Sequence, residues 1–307
     1  MGKYSWQGNS RRCNSATHCL YFPDGEIRIF PELLPCFSEL LPLQSRTRGK
    51  RRTTEHDTGP ACHPSNSIFA NTSGDLCMNP VRILDIGDMQ NGFLQPDGRL
   101  SIPGARGIIG PAQAFLRAAA GSGLFDHTLV VMDTHFAEEY ADSEESRQFP
   151  LHCEYGTRDW DLAVDVTGLP AVRYLMKNRF SMWLERDGSG ARIREPVRRA
   201  AYENLYRFVE DPRDPRNGVP RDDYLRGILN GSSAPPEVTL FGVAADFCNR
   251  YAMEGWVARG ARVTILSDLT RGIAKEWPEV LCEEQYRSIG PGSVRVMSGR
   301  EFLEGTA

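Results

Sequence analysis

The sequence has little that would mark it for a membrane, a nucleic acid or an oxidising compartment. No stretch approaches the roughly 18 uninterrupted apolar residues of a membrane span. The nearest, "FPELLPCFSELLPL", is broken by prolines and glutamates. A formal net charge of −4 gives no reason to expect a nucleic-acid or anionic-membrane partner. No C-x-x-C pair occurs among the eight cysteines, so neither a zinc ribbon nor a thioredoxin-like motif is supported. Scattered cysteines in a chain of 307 residues fit a reduced, cytoplasmic protein better than a disulfide framework.

Periodicity is also missing from residues 1–77, which are rich in Ser, Asn, Thr, Pro and Arg. That segment is expected to be a poorly ordered or non-native extension. Its first 23 residues hold no acid and faintly resemble a transit peptide, while Trp6 breaks the myristoylation pattern. Organised patterning begins after Met78, which reads as an alternative start.

From residue 80 onward, strand-like and helix-like segments alternate. "VRILDI", "HTLVVMD", "VTGLPAVRYLMK", "EVTLFGVA", "ARVTILSD" and "SVRVMSG" read as strands. "GPAQAFLRAAA", "NRYAMEGWVARG" and "EVLCEEQYRSIG" read as helices. The alternation predicts an α/β fold over 78–307: three αβα layers, Rossmann-like, around a mainly parallel central sheet. Residues 184–235 interrupt it with polar, turn-rich stretches around a helix-like "VRRAAYENLYRFV". They read as an insertion, either a lid or an oligomer contact. In parallel sheets, sites gather at the carboxyl ends of strands, which singles out Asp88, Asp133, Lys177 and Cys248.

Cys248 stands where a strand turns into a helix, and helix amides there favour thiolate over thiol. It reads equally as a buried structural cysteine. The small residues Gly242, Ala244 and Ala245 let backbone amides approach an oxyanion. Asp88 is placed to exchange a proton with a thiol, or simply to form a turn. Lys177 would hold a nearby carboxylate ionised, or else be an ordinary surface lysine. Asp133 and His135 sit two apart at a strand end, and His152 follows a loop carrying Glu138, Glu139, Asp142, Glu144 and Glu145. Two histidines with carboxylates suit Zn²⁺, Fe²⁺ or Mn²⁺. A solvated charged loop with two incidental histidines accounts for the same spacing.

Taken together, these segments resemble the isochorismatase-like cysteine hydrolases, and within them the nicotinamidases. Four motifs carry the resemblance in the family's order: "DMQNGF", "DTH…E…FPLHCEYGT", "MKNRFSMW" and "GVAADFC". They span roughly 80–183 and 237–300. The resemblance implies a triad of Asp88 as general base, Lys177 and the nucleophile Cys248. It implies a cis peptide at Val243–Ala244, with the amides of Ala244 and Cys248 facing an oxyanion. Asp133, His135 and His152 match the metal ligands. No third histidine lies between the two, and "ESRQFPLH" resembles the family's glutamate-containing version, which implies Glu145 as the fourth ligand, with Glu144 behind it. Phe93, Phe149 and Trp183 are expected to wall the substrate ring.

The implied activity is metal-dependent hydrolysis of nicotinamide to nicotinate and ammonia through a cysteine thioester, a step of NAD salvage. One divalent ion and a small-molecule amide are the expected cofactor and partner, and a homo-oligomer is compatible with both. Three other readings compete. One is a related amidase acting on a ureido or carbamoyl compound. Another is a non-catalytic binding protein of the same fold. The third is a metal–water hydrolase in which Cys248 is structural. Four departures from the family pattern bear on substrate. Asp85 and Gly87 stand at first-strand positions usually apolar, Ala245 replaces a common Thr, and the insertion follows Lys177. A buried Asp85 needs a partner that the sequence does not name.

Overall fold

The computed structural model describes residues 79–306 apart from 231, 288 and 291. Before them it describes two short strands, β1 (Cys19–Tyr21) and β2 (Ile27–Ile29), paired antiparallel. The expectation that residues 1–77 are poorly ordered otherwise lies outside the described residues. The chain divides into two units, Met1–Asp75 and Leu76–Ala307.

The second unit is built on a sheet of eight strands. These are β3 (Arg82–Gly87), β4 (His127–Asp133), β5 (Val172–Lys177), β6 (Arg207–Val209), β7 (Val219–Pro220), β8 (Glu237–Val243), β9 (Arg262–Arg271) and β10 (Val294–Met297). Their order is β10-β9-β8-β3-β4-β5-β6-β7. From β10 to β5 every pairing is parallel, and β6 and β7 add antiparallel edge strands. The chain moves outward from β3 to one side, then returns to β8 and fills the other. The carboxyl ends of β3 and β8 therefore flank the point where strand order reverses, where such sheets form crevices.

Alternate residues of β3 feed two cores. Leu84 and Ile86 join one with Phe115, Phe241 and Met132, while Ile83 joins the other with Leu129, Val131 and Trp256. The helix Ile109–Ala119 covers the first face with Ala112, Phe115, Leu116 and Ala119, the spacing of one helical stripe. Burying Phe115 and Leu116 contributes roughly 1.5–3 kcal/mol each. This helix stops before Gly121, which takes a φ of 71°. The helix Cys248–Ala258 covers the second face with Ala252, Met253 and Trp256.

Two helix expectations are only half met. "VRRAAYENLYRFV" forms a helix, Pro196–Glu203, with the Glu195 carboxylate accepting from the amides of Val197 and Arg198 at 3.0 and 2.6 Å. Tyr206 then takes a φ of 60° and the chain enters β6. The pull of an open edge on β5 overrides helical spacing there. "EVLCEEQYRSIG" breaks into the helix Trp277–Leu281 and a 3₁₀ turn, Glu284–Tyr286. Part of 184–235 thus belongs to the sheet rather than standing off it. No helix among the described residues is long and apolar enough to cross a membrane.

Candidate active site

Three strand ends bring Asp88, Lys177 and Cys248 together. Asp88 follows β3 with a φ of 51°, and its amide donates to Val131 O at 3.0 Å. Aspartate tolerates this left-handed conformation better than most residues. Two residues on, Gln90 staples the end of β3 to the end of β4. Its Nε2 donates to the carbonyls of Asp133 and Trp160 at 2.9 Å each, and its Oε1 accepts from Asp133 N at 2.8 Å. Lys177 ends β5 in register with Asp133. Its Nζ lies 3.0 Å from Asp88 Oδ2, 3.3 Å from Asp133 Oδ1 and 3.4 Å from Cys248 Sγ.

The charges follow from this geometry. Burial alone would push the Lys177 ammonium down, but Asp133 and Asp88 hold it well above the usual lysine value. Asp88 is pushed up to about 6, by burial first and against the pull of Lys177. Burial also pushes the Cys248 thiol well up, with Asp88, Asp133 and Glu145 adding to it against Lys177. The expected thiolate, favoured by the helix start and by Lys177, is opposed here by burial and by the three carboxylates. In this charge environment the thiol needs a base, and Asp88 is beside it.

The turn before Cys248 is equally specific. The Val243–Ala244 peptide is cis. Ala245 N donates to Arg271 O, while Phe247 N and Asn249 N donate to Ala244 O. Among the described residues, the amides of Ala244 and Cys248 have no backbone acceptor in this turn. Asp246 is structural. Its carboxylate receives the amides of Ile273, Ala274 and Lys275 at 2.7–2.9 Å and so ties down the neighbouring loop.

Beside Lys177, Asp133, His135, Glu145 and His152 offer ligand atoms that all lie within 4.8 Å of one another, and all four are buried. His152 Nε2 and His135 Nε2 stand 2.9 and 3.1 Å from Asp133 Oδ2. Glu145 Oε2 is 3.2 Å from His135 Nε2 and 4.0 Å from His152 Nε2. Atoms bound to one ion at about 2.1 Å stand about 3.0–3.4 Å apart at neighbouring positions, so this spacing fits a shared ion. Two further observations agree. Apart from the His135 contact, neither oxygen of the buried Glu145 has a hydrogen-bond partner among the described residues. His152 Nδ1 faces Pro150 O at 2.7 Å, which fixes a proton there and leaves Nε2 as a lone-pair donor.

Backbone bonds close this loop. His135 N donates to Cys153 O and Tyr155 N donates to His135 O, bringing His135 beside His152. Glu138, Asp142 and Glu144 pair with Arg198, Arg192 and Arg179 at 2.8, 2.6 and 2.8 Å, and the more buried Glu139 accepts from the amide of Arg192 at 3.0 Å. Arg192 and Arg198 come from the 184–235 segment, so that segment braces the loop. Glu144 is thereby excluded from the buried group, and Glu145 belongs to it.

Of the three rings expected around a substrate, two are at hand. Phe93 and Phe149 have centroids 5.4 and 6.4 Å from His152. Trp183 is not brought there. Its Nε1 donates to Tyr251 O at 3.0 Å, and its ring packs edge-on to Trp256 at 5.2 Å, against the helix Cys248–Ala258. The chain turns away after Lys177, which spacing could not reveal. Phe180 and Phe247, unassigned in the sequence, pack on Phe149 at 5.9 and 5.7 Å instead. Their positions inside the "MKNRFSMW" and "GVAADFC" motifs were the available signal.

The strand order and the residues at the strand ends define a class: this is the fold of the isochorismatase-like hydrolases. An isochorismatase-like hydrolase from Alkaliphilus metalliredigens is 20% identical, with a TM-score of 0.51 over 74% of this chain and 100% of that one. In sequence, the chain is 25% identical over 209 residues to a nicotinamidase/pyrazinamidase of Mycobacterium tuberculosis, covering 66% of this chain and 94% of that protein. A pyrazinamidase of Pyrococcus horikoshii in complex with zinc is 21% identical, with a TM-score of 0.48 over 71% of this chain and 99% of that one. No family model matches the chain. The chain thus shares the isochorismatase-like fold and is similar in sequence to a nicotinamidase/pyrazinamidase.

Proposed function

We propose that this protein is a metal-dependent nicotinamidase, an amide hydrolase that converts nicotinamide to nicotinate and ammonia. The observation that carries this reading is the position of Lys177. Its one ammonium lies within 3.0–3.4 Å of Asp88, Asp133 and Cys248, so thiol, base and metal group share a single place.

The residues divide the work as follows. Asp88 takes the Cys248 proton, and the sulfur attacks the carboxamide carbon to form a C–S bond. Lys177 balances the charge on Asp88 and on the developing thiolate. The amides of Ala244 and Cys248 receive the oxyanion. The C–N bond breaks as Asp88 returns its proton to the departing ammonia. Water then attacks the thioester with Asp88 as base, the C–S bond breaks, and nicotinate leaves with the thiol restored. A pKa near 6 suits a carboxyl that must both accept and donate close to neutrality. A divalent ion held by Asp133, His135, Glu145 and His152 would supply a Lewis-acid position for the pyridine nitrogen. Phe93 and Phe149 flank that position and would hold the ring between them.

Ammonia release from nicotinamide, measured beside a panel of ureido and carbamoyl compounds, tests this reading. Turnover of nicotinamide that is lost in Cys248→Ala supports it. Inert nicotinamide with another amide cleaved assigns the chain to the related amidases. Full turnover by Cys248→Ala would leave the metal group as the reactive centre.

A further inference from the structure

The mechanism above leaves several buried polar groups behind the triad unused. Asp85 lies in β3 three residues before Asp88 and is fully buried. The partner the sequence could not name is Trp256, whose Nε1 donates to Asp85 Oδ2 at 2.7 Å. Asp85 Oδ1 has no hydrogen-bond partner among the described residues. Asn249, next to Cys248 and 1% exposed, has none among the described residues for either Oδ1 or Nδ2. A buried polar atom left unpaired costs on the order of 1–3 kcal/mol, so these atoms point to an occupant between them.

The space for one exists. Asp85 and Asn249 line a cavity of about 10 Å³, together with Asp88, Lys177 and Cys248. That is room for about one water, which needs two to four polar partners. The neighbouring residue types are fitted to it. A Cβ on Gly87 would stand 2.0 Å from Asn249 Oδ1, so the Asn249 side chain lies over β3 only because residue 87 has none.

We propose that Asp85 and Asn249 form a one-water site behind the nucleophile, in which the water bridges both side chains to the Asp88 carboxylate and fixes its orientation toward Cys248. Both are positioning residues, since they act through Asp88. Burial pushes Asp85 up to about 7 despite the Trp256 bond, so near neutrality a large fraction is a protonated acid able to donate to the water. An asparagine there has the same acceptor for Trp256 and the same kind of donor. The site lies on the face of the sheet covered by the helix Cys248–Ala258, whereas Phe93 belongs to the opposite core. Its loss is therefore expected in kcat rather than KM.

The proposal rests on Asp88 acting as base for Cys248, and the test separates it from the choice of substrate. Asp85→Leu, Asn249→Leu and Asp85→Asn are compared for two readouts: nicotinamide kinetics, and the rate at which iodoacetamide alkylates Cys248 in the metal-loaded full chain. The two leucine variants are expected to lower kcat and the alkylation rate by about tenfold, with KM within about twofold. Asp85→Asn is expected to stay within about threefold of the parent protein. Alkylation remains a valid readout even if nicotinamide proves inert, so failure of the substrate reading is seen separately. Should Asp85→Leu fail to fold, Asn249→Leu carries the comparison from a different element. Folded leucine variants that alkylate at the parent rate would overturn the proposal. So would an Asp85→Asn protein as impaired as Asp85→Leu, or a high-resolution crystal structure with no water between these side chains.

Discussion

The two halves of the site are built differently. Asp88, Lys177 and Cys248 sit at or just beyond strand ends, where backbone ladders set their register. The metal group takes only Asp133 from a strand, while His135, Glu145 and His152 come from a loop. That loop is held by a few backbone bonds at its base and by arginine pairs at its rim. The triad is therefore largely preorganised by the sheet. The Asp133–His135–Glu145–His152 group concentrates two buried carboxylates and two imidazoles. His135 shows the consequence. Burial would lower its pKa, yet Asp133 and Glu145 push it up to about 10, the effect of two carboxylates on one buried imidazole.

Lys177 is where the halves meet, so removing it should break the comparison most completely. Lys177→Ala leaves Asp88 and Asp133 buried without their cation. It is expected to destabilise the fold by about 3–5 kcal/mol and to abolish turnover, as thermal unfolding and ammonia release would show. A melting temperature close to that of the parent protein would mean the sheet does not depend on this charge.

Asp85 sharpens the strand-end side. Its folded pKa of about 7 lies above the ordinary 3.8, so its contribution to stability is fully present below about pH 4 and is lost as pH rises through 7. Asp85→Asn keeps a neutral side chain at every pH. Relative to the parent, it should gain roughly 4 kcal/mol between pH 4 and pH 8, read from paired denaturant titrations. A constant difference across that range would contradict the assignment.

The loop side can be separated from the triad by the metal. Chelation is expected to stop nicotinamide turnover while Cys248 remains alkylatable. Glu145→Gln should weaken metal binding by more than the roughly 10–100-fold that loss of an outer partner costs, while Glu144→Gln, which loses only its pair with Arg179, should leave it within about twofold. Equal losses in both variants would mean that the ligand has been misassigned. The smallest effect is expected at the rim. Arg198→Ala removes partly exposed pairs to Glu138 and Glu154 and should cost about 0.2–1 kcal/mol.

The same contrast explains what could be read from sequence. Strand ends are marked by apolar runs that stop at a polar residue, so Asp88, Asp133, Lys177 and Cys248 could be found by inspection. Their order along the chain carries the resemblance to the isochorismatase-like hydrolases. Glu145 and Glu144 are adjacent and chemically alike, and only the 3₁₀ turn Glu145–Arg147 decides which is buried. The position of Trp183 against Tyr251 and Trp256 is not legible in the sequence, because closeness to Lys177 along the chain says nothing about where the chain turns. Contacts between distant elements stayed hidden, among them the bond from Trp256 to Asp85 and the fit of Asn249 over Gly87. The edge strand β6 was masked by helical spacing that a free strand edge overrode.

The central claim is that Cys248 carries the acyl group during turnover. Acid quench of the metal-loaded protein in the presence of nicotinamide, followed by peptide mass analysis, tests it directly. The account predicts a nicotinoyl adduct on the peptide bearing Cys248, labile to hydroxylamine and absent from Cys248→Ala. An unmodified peptide, together with turnover retained by Cys248→Ala, would contradict it.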